Sequence, residues 1–171
     1  VAATCWLIHA ARHVLGGTAH DLLWACNVAV PVLALGCFTG RTVPCAVALS
    51  WLAFGTPIWL LDLAMGAGLI ITSPLVHVVA PLVALSALRR LGWPERAWVF
   101  ATAGTLPLLV ASRLLGTAAA NPNLAFRVHQ GWEGRFGSHP FFLGLLLAVA
   151  ASVFYAIDAI VRRVRGPDLP G

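Results

Sequence analysis

Cys26 and His77 are the residues of this chain best suited to covalent chemistry, a thiol able to act as nucleophile and an imidazole able to take its proton. Asp62 or Asp21 could orient that imidazole, and Asn27 or backbone N–H groups could supply oxyanion donors. Each residue also has a plainer role open to it. A free cysteine is usually a small buried hydrophobe. His77 could instead be an axial ligand to haem or a chlorophyll-type pigment, or a hydrogen-bond partner of Asp62 across helices. Asp62 and Arg113 could form an ion pair that orders a bundle and does no chemistry.

The setting is what singles these residues out. Asn27 precedes Pro31 by four positions and His77 precedes Pro81 by four, each within an otherwise apolar run. Proline has no N–H for the carbonyl four residues back and clashes with it. Both places therefore combine a polar side chain with a freed backbone carbonyl.

The elements that must position them are set by composition. The 171 residues are 60% hydrophobic and 10% charged, with a mean hydropathy of +0.87, the profile of a chain whose solvent is lipid. About 20 apolar residues cross the hydrocarbon, so the expectation is one all-α transmembrane bundle of five to six helices with no separate soluble domain. The formal charge of +5 arises from arginine alone, since there is no lysine. Basicity of this kind speaks for topology and headgroup contact, and nucleic acid is not an expected partner. Cys5, Cys26, Cys37 and Cys45 show no CxxC spacing, so neither a zinc site nor a disulfide framework is indicated. No cleavable signal peptide is legible, and the chain opens at Val1 without an initiator methionine, so its natural start is expected to lie upstream.

Spans are expected at 21–38, 43–66, 74–88, 97–115 and 140–161, with 1–15 a partial or interfacial helix ended by Gly16 and Gly17. Arg41, Arg89, Arg90, Arg96, Arg162, Arg163 and Arg165 then share one side, which the positive-inside rule makes cytoplasmic, together with the carboxyl terminus. The membrane implied is the bacterial inner one. At the opposite ends stand Asp21, Cys26 and Asn27 on one span, Asp62 on the next, His77 on the third and Arg113 on the fourth. At 1.5 Å rise per residue, each lies roughly 5 to 10 Å below the outer boundary. An ionisable group in a span faces the bundle interior or a wet cavity. The pattern thus predicts an outward-opening polar pocket roofed by the long loop 116–139, with Asp21, Asn27, Arg113, Asn121 and Asn123 as substrate-binding candidates beside the catalytic candidates Cys26, His77 and Asp62.

Other polar residues call for less. Asp158 is placed to pair with Arg162 four residues on. His9, His13 and His139 fall at boundaries and are expected to be solvated, while Trp6, Trp93, Trp98 and Trp132 suit interfacial anchoring. There is no HExxH, no GxSxG and no phosphate-binding glycine loop.

Several fragments together resemble a family of uncharacterised bacterial multi-pass membrane proteins. They are Asp21-Leu22-Leu23-Trp24-Ala25-Cys26-Asn27, Trp59-Leu60-Leu61-Asp62-Leu63, His77-Val78-Val79-Ala80-Pro81, Arg89-Arg90-Leu91-Gly92-Trp93 with Arg96 and Trp98, and Asn121-Pro122-Asn123-Leu124. More remotely, the pattern is similar to transmembrane acyltransferases and lipid hydrolases of the YwaF-like and androgen-induced type, which pair a cysteine or threonine in an early span with a histidine in a later one. That resemblance implies Cys26 and His77 as the counterpart pair. The cysteine of those enzymes follows His-Leu, whereas Cys26 follows Trp24-Ala25.

Two functions are therefore expected to compete. One is acyl transfer or ester hydrolysis on a membrane lipid by Cys26 and His77. The other is a non-catalytic accessory subunit of a larger respiratory or photosynthetic membrane complex, packed against other subunits and holding a lipid, haem or pigment.

Overall fold

Glycine and proline divide the chain where hydrophobic runs end, and the result is all-helical. The computed structural model describes residues 1–66, 68–129 and 131–165. Among these described residues six α-helices follow one another: α1 (Ala2–Leu15), α2 (Ala25–Thr39), α3 (Thr42–Ala64), α4 (Ala80–Leu91), α5 (Ala97–Leu115) and α6 (His139–Arg165). Short 3-10 turns occupy Ala19–Leu23, Pro122–Leu124 and Glu133–Arg135.

Among the described residues, three helices are long and apolar enough to cross a membrane by length and composition, Thr42–Ala64, Ala97–Leu115 and His139–Val164, and Ala25–Thr39 is a shorter apolar helix. This is a membrane protein. The expected span at 21–38 is shorter than the sequence suggested, because Ala19–Leu23 forms a 3-10 turn and Trp24 adopts ψ 140° before α2 begins. Asp21 consequently lies outside the helix. Residues 74–88 are likewise not one regular helix. A π turn spans Leu75–Val79, where the N–H of Ala80 reaches back to the Leu75 carbonyl, and this wider turn accommodates Pro81.

Helix α3 is the hub. Every residue from Cys45 to Leu52 is buried, as for a helix apolar on all sides, and α3 packs against α2, α4, α5 and α6. Trp51 Nε1 donates to the Ala101 carbonyl at 3.1 Å and ties the middle of α3 to α5. Small residues line the contacts, among them Ala29, Ala46, Ala48, Ala84 and Ala101, as suits helices that must pack closely without a hydrophobic drive in lipid.

At Gly36, an added Cβ would stand 2.6 Å from Cys45 Sγ and 3.0 Å from the Cys45 backbone nitrogen. Glycine is what lets α2 and α3 touch there. Gly36→Val is therefore expected to destabilise the bundle by about 2 kcal/mol or more through overpacking, read as a lower unfolding midpoint in detergent.

The outer surface of the bundle is apolar, as lipid requires, with Phe38 92%, Leu114 77% and Ile160 61% exposed. The short turn at Gly40-Arg41 makes α2 and α3 antiparallel. Gly36 of α2 meets Cys45 of α3, while Gly55 further along α3 meets Cys26 at the start of α2. Chain reversal of this kind gathers the ends of α1, α3 and α5 with the starts of α2, α4 and α6.

Candidate functional site

The end of the bundle so defined is polar. Asn27 occupies the first turn of α2, and its Nδ2 donates to the Asp21 carbonyl at 2.8 Å, holding the 3-10 turn against the helix. His9, on α1, borders Asn27 and shares a 2.8 Å hydrogen bond through Nδ1 with Thr72 Oγ1. His13 lies one turn on from His9, edge to face with it at 4.6 Å, and shares a 2.8 Å hydrogen bond with Thr18. The carboxylate of Asp21 stands between His13 at 3.7 Å and His20 at 3.8 Å.

His9 and His13 overturn the expectation that boundary histidines are solvated, being only 2% and 3% exposed. The signal was in the spacing. Ala2, Cys5, His9 and His13 form one stripe at helical intervals, and that whole stripe is buried against the bundle.

His77 completes the cluster from the π turn. Its ring stacks on Trp59 of α3, with centroids 4.5 Å apart and planes 5° from parallel. Its Nδ1 is buried and has no hydrogen-bond partner among the described residues. The carbonyl that Pro81 frees is used, since Thr56 Oγ1 donates to it at 3.4 Å. No family model, curated protein or solved structure matches this chain. The site must therefore be read from its own geometry.

Cys26 packs against Gly55, where an added Cβ would stand 3.4 Å from its own Cβ. Cys26 and His77 thus both lie against one stretch of α3, the first at Gly55 and the second at Thr56 and Trp59. Among the described residues no hydrogen bond joins them. Asp62 is half-buried and makes neither a hydrogen bond to His77 nor an ion pair with Arg113 among the described residues. Arg113 instead places its guanidinium over the Phe126 ring, 5.1 Å from the centroid.

The asparagines of the long loop serve the backbone. Asn121 Oδ1 accepts from the N–H groups of Phe126 and Arg127 at 2.9 and 3.1 Å, and its Nδ2 donates to the Arg127 carbonyl at 3.0 Å. Asn123 reaches across to α2: its Oδ1 accepts from Ala25 N–H at 2.8 Å, and its Nδ2 donates to the Leu23 carbonyl at 2.7 Å and to Ser112 Oγ at 2.9 Å. Both occupy the left-handed region, with φ 46° and 53°, which asparagine tolerates better than most residues. The loop is pinned to the polar end through them.

Axial ligation of a haem or pigment by His77 would require macrocycle-sized space beside the ring. His77 is 7% exposed and packed face to face on Trp59, so the residues present do not fit such a group. Nor, among the described residues, do three or more His, Cys, Asp or Glu side chains gather in a way that could hold a metal ion. Nearby, a cleft of about 140 Å³ opens at the end of α1, lined by Arg12, His13, Gly16, Thr18, Asp21 and Ile70.

The opposite end carries the other buried charge. Asp158 of α6 is 0% exposed; it accepts from Trp93 Nε1 at 2.6 Å and pairs with Arg162 at 2.9 Å. The pairing with Arg162 follows the spacing of four. The bond to Trp93 does not, and it makes that indole a bundle contact as well as a candidate interfacial anchor. The side chain of Arg165 lies outside the described residues.

Proposed function

We propose that this chain is a multi-pass protein of the bacterial cytoplasmic membrane, carboxyl terminus inside, acting as a non-catalytic accessory subunit that holds lipid at its outer face and packs against other membrane subunits. The observation that carries this reading is that no hydrogen bond joins Cys26 to His77 among the described residues: Cys26 packs its Cβ against Gly55, and the imidazole stacks on Trp59. A thiol that no base holds by a hydrogen bond lacks the activation that nucleophilic catalysis needs. The orientation is supported by Arg41, Arg89, Arg90, Arg96, Arg162 and Arg163 lying at the end opposite the histidines.

Acyl transfer or ester hydrolysis on a lipid is the competing reading. In its favour, both residues lie against one stretch of α3. Labelling with a lipid-like electrophile separates the two, in a background where the exposed Cys37 is replaced by serine. The accessory-subunit reading predicts that Cys26→Ala changes labelling less than about twofold, because an unactivated thiol reacts slowly. A loss of about tenfold or more on Cys26→Ala would establish the enzyme reading instead.

A further inference from the structure

The geometry points to the cleft at the end of α1 as a headgroup site for a zwitterionic glycerophospholipid with a primary ammonium, an ethanolamine headgroup. This deepens the lipid-holding reading above and rests on it. The cleft is about 140 Å³ and is bounded by one fixed cation, Arg12, and one carboxylate, Asp21. Among the described residues the two form no ion pair with each other. Arg12 folds over Gly16, its Nη1 2.5 Å from where a Cβ on that glycine would stand. The carboxylate oxygens of Asp21 accept no hydrogen bond among the described residues, their nearest basic neighbours being His13 at 3.7 Å and His20 at 3.8 Å. Opposite charges therefore line one space without pairing with each other among the described residues, each with bonding capacity left over.

A ligand carrying both signs satisfies both sides. Phosphate oxygens suit the guanidinium fork of Arg12, and a primary ammonium suits the open carboxylate of Asp21 through charge-assisted N–H bonds. A quaternary ammonium has no N–H to give, and an anionic headgroup leaves Asp21 opposed to like charge. The Thr18 hydroxyl, steadied by His13 at 2.8 Å, adds a neutral polar wall.

The rim says where the ligand comes from. Leu15, Leu69 and Ile71, the chain neighbours of cleft residues Gly16 and Ile70, are 88%, 60% and 83% exposed. Bare apolar side chains beside a charged cleft suit a lipid, whose tails cover them while its headgroup enters. A free soluble phosphoethanolamine would leave them in water.

The test is native mass spectrometry of the full chain in mild detergent with dioleoyl phosphatidylethanolamine, phosphatidylcholine or phosphatidylglycerol added singly. The ethanolamine lipid is expected to be retained at least about fivefold over the choline lipid, and Arg12→Gln and Asp21→Asn are each expected to cut that retention by a similar factor. Helicity and elution volume of both variants should be unchanged, since Arg12 is exposed and Asp21 lies outside the α-helices. Equal retention of the ethanolamine and choline lipids, or indifference to both substitutions, overturns the site. Soluble phosphoethanolamine that competes as well as the lipid overturns the lipid as its ligand. If the site fails while lipids in general are retained and Cys26→Ala remains silent, the headgroup assignment falls and the accessory reading stands.

Discussion

Replacing Asn123 by alanine is expected to cost about 3 kcal/mol of stability, because it leaves the Leu23 carbonyl and the Ala25 N–H without their partner, while Ser112 Oγ loses one contact and keeps its bond to the Leu108 carbonyl. Its side chain closes on the Leu23 carbonyl, the Ala25 N–H and Ser112 Oγ at 2.7 to 2.9 Å. Ser112 is fully buried, and Ala25 opens α2, where no preceding turn supplies an acceptor for its N–H. Alanine is also less at ease than asparagine at φ 53°. The expected signature is local as well as global. Amide exchange at Ala25 should quicken, while the core of α3 keeps its protection until the whole bundle opens. Asn123→Asp keeps the acceptor for Ala25 and loses both donated bonds, so its loss should be intermediate. An Asn123→Ala variant that unfolds within about 0.5 kcal/mol of the parent would show that the loop is not anchored there.

Asp158→Ala is the second large effect, expected at about 3 kcal/mol, the scale of breaking a buried pair. The carboxylate is fully buried and joins the connection between α4 and α5 to α6 through Trp93, at 2.6 Å. Its other partner, Arg162, is half exposed and can return its charge to solvent or headgroups. The two partners are therefore unequal. Arg162→Gln should cost less than about 1 kcal/mol, and Asp158→Asn, which still accepts from the indole, should recover part of the loss. Unfolding in detergent measures all three. If Arg162→Gln were as damaging as Asp158→Ala, charge pairing and not the Trp93 bond would be the dominant contribution.

Much of the architecture follows from residues that could be read in advance. The glycine pair at 16 and 17 ends α1, Gly40 at φ 65° closes α2, and short polar connections make successive helices reverse. Reversal alone places Asn27 and His77 at one end and most of the arginines at the other. Pro81 signalled a freed carbonyl at His77, and Thr56 accompanies it.

What was not legible depends on partners far away in the chain. Residues 21–24 are apolar enough to continue α2, yet the helix starts at Ala25, where Asn123, 98 positions later, receives the first N–H. The direction of a side chain around its helix also decides what it meets. Cys26 and His77 share an end of the bundle, but one turns to Gly55 and the other to Trp59. Asp62 and Arg113 reach the same end without meeting the histidines. His9 and His13 fall at boundaries where solvation is expected, although their spacing from Ala2 and Cys5 marks a buried stripe.

The central claim is that groups from separate parts of the chain converge at this one end, and the contact between His9 of α1 and Thr72 ahead of α4 tests it most directly. Dipolar recoupling in bilayers, with histidine nitrogen and threonine carbon labelled, reads that contact without altering it. A nitrogen-to-oxygen distance of 2.8 Å predicts strong dephasing of His9 Nδ1 by the Thr72 side chain, abolished in Thr72→Val while the His13–Thr18 signal persists. If His9 showed no dephasing that depends on Thr72, α1 would not pack against the start of α4, and the shared polar end would not exist.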